Sequence, residues 1–214
     1  MTNHPTDKEF SAELESKILA KAIELFMSIG VRNTTMDDLA RELGVSKKTL
    51  YRVISNKADL VRICVERDIM KKETEVKEIQ QQSEDVLEEM LKIGASVTNS
   101  LRTFQVSVIH DLMKFYPESW AIIEDYKNRF IRSVVHKNIV EGIKAGFYRA
   151  DIQADVIINF FIQGTDICMN SQLYINEQYN YSSVYKEFLI YHIRGIATDK
   201  GIERLTQLTP KINL

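Results

Sequence analysis

The chain has 214 residues, 28 Lys and Arg against 30 Asp and Glu, and a net charge of −2. With 44% hydrophobic and 27% charged residues it has the composition of a globular protein with a sizeable core, neither basic overall nor acidic enough to stay disordered. Any contact with nucleic acid must therefore come from a local patch.

Only Pro5, Pro117 and Pro210 interrupt the chain, and glycines number eight. That scarcity of turn residues predicts long helices rather than a sheet. No apolar run is long enough to span a membrane, and residues 1–15 carry four acids and no apolar core of a leader. Cys64 and Cys168 form neither a metal pattern nor a disulfide framework, so a cytoplasmic protein with two reduced thiols is expected. No cofactor is indicated, and no residue set suggests a metal or a catalytic site.

The first helix is predicted over Asp7–Ile29, where Ile18, Ala22, Leu25 and Ile29 repeat along one face and Gly30 follows as a stop. Thr35 to Asp38 spell a capping box for a short second helix ending at Leu43. Gly44 breaks it, and Ser46 caps a third helix, Lys47 to about Ile54. Asn56 caps a fourth, with Asp59 at its third position, running to about Gln81. Further helices are expected from Ser83, over Val106–Phe115, from Pro117 to near Gly146, from Gln153, and over Ser182–Ala197. The reading is all-α, about nine helices and no convincing strand.

The informative stretch is Met36–Ile54. Counting from Met36, small Ala40 is fifth, Gly44 ninth and apolar Leu50 fifteenth. A helix-turn-helix needs this spacing: a small residue where the helices cross, a turn residue tolerant of positive φ, and apolar anchors such as Leu39, Leu43, Val45, Leu50 and Val53. Its second helix presents N-terminal residues to a major groove. Residues 31–62 hold seven basic and four acidic side chains, so a +3 segment sits in a chain that is otherwise −5. Taken singly, Thr35 and Ser46 are also ordinary caps, and Lys47 and Lys48 an ordinary solvated face. The joint spacing is what points to DNA.

From Ile18 to Leu60 the chain resembles the DNA-binding domain of TetR-family transcriptional regulators. The matching residues are Ile18-Leu19, Ala22, Leu25-Phe26, Gly30, Thr34-Thr35, Leu39-Ala40, Leu43-Gly44-Val45-Ser46, Thr49-Leu50-Tyr51, Lys57 and Leu60. The resemblance implies a helix-turn-helix DNA-binding domain over 1–56 and a larger helical effector-binding and dimerisation domain over 57–214. It implies that Thr35 bonds a phosphate, that Ser46 belongs to the DNA-binding set, and that Lys47, Lys48, Thr49 and Arg52 face base edges and nearby phosphates. Tyr51 and Lys57 would clamp the backbone. Lys48 stands where the family often has a small residue, and Arg52-Val53-Ile54 replaces an aromatic run, so base specificity is not carried over.

The resemblance also implies a small-molecule effector, a homodimer through the last two long helices, and a palindromic double-stranded operator. Val156, Phe160, Ile167 and Tyr174 on one helix, with Val184, Phe188, Tyr191 and Gly195 on the next, are expected to form that dimer bundle. For the effector, His110, Asn159, Gln163 and Asp166 are polar side chains within apolar helices. Trp120 and Tyr126 join them, with Met90, Phe104, Met113 and Phe130 as walls of a hydrophobic or amphipathic pocket. The expected function is a repressor released from its operator by ligand. Two alternatives stand beside it: a ligand-binding module with a degenerate, non-specific DNA-binding head, and an all-helical enzyme, for which the chain offers no phosphate loop or nucleophile elbow.

Overall fold

Helix α1 (Asp7–Ile29) buries Ile18, Leu19, Ala22 and Phe26, the expected stripe, although its last residue Ile29 is exposed. The computed structural model describes residues 7–102, 106–169 and 179–212. Gly30 stops α1 with φ +88°. Helix α2 (Met36–Leu43) follows the predicted capping box, in which Asp38 N–H donates to the Thr35 hydroxyl and the Thr35 N–H donates to the Asp38 carboxylate. Gly44 then turns the chain at φ +65°, a left-handed conformation that a side chain resists, with its N–H returned to the Arg41 carbonyl.

Helix α3 (Lys47–Tyr51) is shorter than expected. The chain tightens after it, with Val53 and Ile54 N–H both donating to the Leu50 carbonyl, and this turn drops Ile54 into the core. Asn56 and Asp59 cap α4 (Lys57–Gln82) as the sequence suggests. Beyond it come α5 (Val86–Leu101), capped by Asp85, and α6 (Val106–Phe115). The helix expected from Pro117 to near Gly146 is α7 (Pro117–Tyr126), a π-helical segment (Lys127–Ile131) and α8 (Arg132–Lys144) in one run. Then follow α9 (Ala154–Cys168), α10 (Tyr181–Ile196) and an additional α11 (Asp199–Leu208). Thr198 caps α11 through the Gly201 N–H, and Leu205 and Leu208 bury its face. Among the described residues the only extended pairing is the isolated bridge Tyr148–Ala197.

By contacts the chain forms two units, residues 1–70 with 105–124, and residues 71–104 with 125–214. The first unit therefore takes in α6 and most of α7 besides the predicted 1–56. The reason is local: buried Asp111 on α6 accepts the Arg32 N–H at 2.7 Å, which ties α6 to the turn before α2. The second unit packs α5 against α10, with Leu87, Leu91, Ile139, Ile158, Leu189 and Ile193 fully buried. A polar network lies inside it. Tyr148 donates to Asn138 at 3.0 Å, and Asn138 donates to the Val86 carbonyl and the Glu89 carboxylate.

Candidate nucleic-acid interface

The reading head is built from α2, the Gly44 turn and α3. Met36, Leu39, Ala40, Leu50 and Ile54 are buried and fix α3 against its neighbours. With Leu50 turned inward, α3 leaves Lys47, Lys48, Tyr51 and Arg52 exposed and Thr49 partly so. Ser46 caps the helix, accepting the Thr49 N–H at 3.1 Å and sharing a 2.8 Å contact with the Thr49 hydroxyl.

These cations differ in how they are held. Lys47 Nζ lies 2.6 Å from Asp37 of α2, and that carboxylate raises the lysine pKa. Among the described residues Lys48 and Arg52 have no ion pair. Thr35 is exposed, yet its hydroxyl donates to Asp38 at 2.6 Å inside the capping box, so reaching a phosphate requires that proton to turn outward. Lys57 opens α4 as expected, but its ammonium donates to the Arg32 carbonyl at 2.9 Å, and burial lowers its pKa against the pull of Asp111.

Sequence reasoning missed the two acids of α2 that hold Lys47 and Arg41, and it missed Asp111. A signal for Asp111 existed: it continues the buried face of Val108 and Leu112, where an acid needs a donor.

The effector candidates are divided between the two units. His110 is exposed and Trp120 partly buried in the first unit. Tyr126, in the second, stacks on Phe130 with ring centroids 5.6 Å apart. Asn159, Gln163 and Asp166 are exposed along α9, where Asn159 accepts from Arg132 at 2.8 Å and Asp166 pairs with Lys127 at 2.8 Å. Of the expected walls, Met90 is buried in the core, Met113 is exposed, and Phe104 lies outside the described residues. Thr98 Oγ1 and His192 Nε2, which the sequence reading did not single out, are buried and have no hydrogen bond among the described residues.

Exposed apolar side chains mark α9 and α10. Val156 is 42% exposed, Phe160 64%, Ile167 59% and Tyr191 79%. Gly195 is exposed beside them, Val184 and Phe188 are partly buried, and Tyr174 lies outside the described residues.

Residues 18–63 match the family described as bacterial regulatory proteins, tetR family. Over 188 residues the chain is 23% identical to the HTH-type transcriptional regulator YvaF of Bacillus subtilis strain 168, itself described as uncharacterized, covering 87% of this chain and 97% of that one. Residues 18–63 thus carry a TetR-family DNA-binding segment. The chain's fold is also that of solved transcriptional regulators. A putative transcriptional regulator from Saccharomonospora viridis in complex with choline aligns with a TM-score of 0.73 at 18% identity, over 87% of this chain and 99% of that one. The ketosteroid transcriptional regulator KstR2 of Mycobacterium tuberculosis aligns at 0.61 and 20%, over 87% and 96%. The family match and the curated relative make the chain a DNA-binding transcriptional regulator. TetR-family regulators bind operators and small-molecule effectors. No helix among the described residues is long and apolar enough to cross a membrane.

Proposed function

We propose that the chain is a cytoplasmic repressor that holds a palindromic operator as a homodimer and releases it on binding a small hydrophobic or amphipathic molecule. The observation that carries this reading is α3, anchored by Leu50 and exposing Lys48, Tyr51 and Arg52 without carboxylate partners among the described residues. Lys47, Lys48, Thr49 and Arg52 take base edges and nearby phosphates, with Ser46, Thr35, Tyr51 and Lys57 on the backbone. The division into a DNA-binding segment, 1–56, and an effector-binding and dimerising remainder, 57–214, belongs to the same proposal.

The dimer forms on the α9–α10 face, because Val156, Phe160, Ile167 and Tyr191 make an apolar surface larger than scattered exposure explains. A two-fold axis there sets two α3 helices about 34–36 Å apart, one turn of DNA. The effector occupies the second unit. Tyr126 flanks it, and the unbonded Thr98 hydroxyl and His192 imidazole are the polar groups it would satisfy. Of the remaining candidates, Asn159, Gln163 and Asp166 fall on the same helix as the dimer face, and His110 and Trp120 on the reading unit. One similar regulator is seen in complex with choline and another is a ketosteroid regulator, which supports an amphipathic or apolar ligand class. Helices α4 and α7 each run unbroken from one unit into the other and would carry the coupling, provided the ligand prefers one state.

Selection of bound sequences from a random duplex pool tests this, followed by a screen for molecules that release the selected duplex. A palindrome released by an amphipathic molecule is expected. Equal, salt-sensitive binding to every duplex would instead mark a degenerate head, and turnover of the effector would mark an enzyme.

A further inference from the structure

The reading unit carries cations that the helix-turn-helix does not account for. Arg32 Cζ lies 5.1 Å over the Phe115 ring centroid, and Lys114 Nζ lies 5.5 Å from the same centroid. Lys57 Nζ is 5.9 Å over the adjacent Tyr116 ring and is bonded to the Arg32 carbonyl. Three segments far apart in sequence thus place three cations around two neighbouring aromatic residues.

Asp111 is buried and accepts the Arg32 backbone N–H, and among the described residues neither the Arg32 nor the Lys114 side chain has an ion pair. Elsewhere in the unit Arg41, Lys47, Arg62 and Arg67 are each held by a carboxylate. An arginine stacked on a ring uses its face, which leaves the in-plane N–H groups at its edge for an oxyanion. Arg32 is also only three residues from Thr35, so at most about 11 Å of chain separates it from the cap of α2. That span lets Arg32 reach a backbone phosphate close to one held at the Thr35 cap.

We propose that Arg32 and Lys114, with Lys57 behind them, form a second phosphate-binding patch that grips the operator backbone outside the groove read by α3. The proposal rests on α3 being the DNA-reading helix. The patch adds affinity without sequence information, because phosphate contacts carry none.

The test uses the full chain, its selected operator and a scrambled duplex of equal length, with affinity measured by fluorescence anisotropy across a salt series. Arg32→Ala and Lys114→Ala are each expected to reduce the slope of log K against log salt by about 0.9, and the pair by about twice that. Both duplexes should weaken by the same factor, and Arg32→Lys should keep the slope, separating charge from packing. Unchanged slopes for Arg32→Ala and Lys114→Ala, with affinity still lost in Lys48→Ala, overturn the patch and leave the reading of α3 intact. Loss confined to the operator duplex also overturns it. If Lys48→Ala loses nothing either, the reading of α3 falls and takes the patch with it.

Discussion

Single charges on the reading head compete between the protein and the DNA. Lys47 reaches Asp37 at 2.6 Å, so a phosphate or base must draw it from that carboxylate, whereas Lys48 and Arg52 have no ion pair among the described residues. Lys48→Ala should therefore weaken operator binding by about 1–3 kcal/mol, and Lys47→Ala by less. Asp37→Asn should do the opposite, strengthening binding and steepening the salt slope by about 0.9 as Lys47 becomes available. Anisotropy titrations of the three variants check the order. Thr35 sits in a different balance, since its hydroxyl serves Asp38 in the cap. Thr35→Ala should cost about 1 kcal/mol of folding stability, read by urea denaturation, besides any lost phosphate contact.

At the scale of elements, α9 and α10 meet where Gly164 faces Phe188. A methyl on Gly164 would fall inside the Phe188 ring, which is wedged among Phe161, Tyr185 and His192. Gly164→Ala should cost about 1–3 kcal/mol and lower Tm. His192 gives this packing a pH dependence. Burial lowers its imidazole to about 4, against about 6.5 in the unfolded chain. Below pH 6.5 the unfolded state takes up the proton first, so stability present above pH 6.5 is lost as pH falls toward 4, by at most about 3 kcal/mol. His192→Leu should flatten that part of the pH profile in urea denaturation.

The elements were legible where their signals are local. Thr35 with Asp38, Gly44, Ser46, and Asn56 with Asp59 lie within a turn of the helix they start or stop, and each cap is present in the structure. The ends were less legible: α3 stops at Tyr51 because the Leu50 carbonyl takes both the Val53 and Ile54 N–H groups. Helix α11 escaped notice because Gly201, a poor helix former, sits in its first turn. That Asp111 and Lys57 share Arg32 as a partner was not legible, since Arg32 is 79 residues from one and 25 from the other. The effector candidates were chosen as polar residues on apolar helices, but on α9 these face outward with the apolar Phe160 and Ile167, so periodicity alone did not separate an interface from a lining.

For the whole molecule, near-neutral charge hides a +3 segment, residues 31–62, in a −5 remainder. Assembly should follow the exposed α9–α10 face. Phe160→Asp with Ile167→Asp should give a folded monomer in sedimentation, with operator affinity lost because one α3 helix reads only a half-site. The most direct test of the central claim is retardation of the selected operator by a variant with Lys47, Lys48 and Thr49 all changed to Ala. The account predicts no retarded complex from a protein that sediments as the wild type does. A normally retarded operator would contradict it.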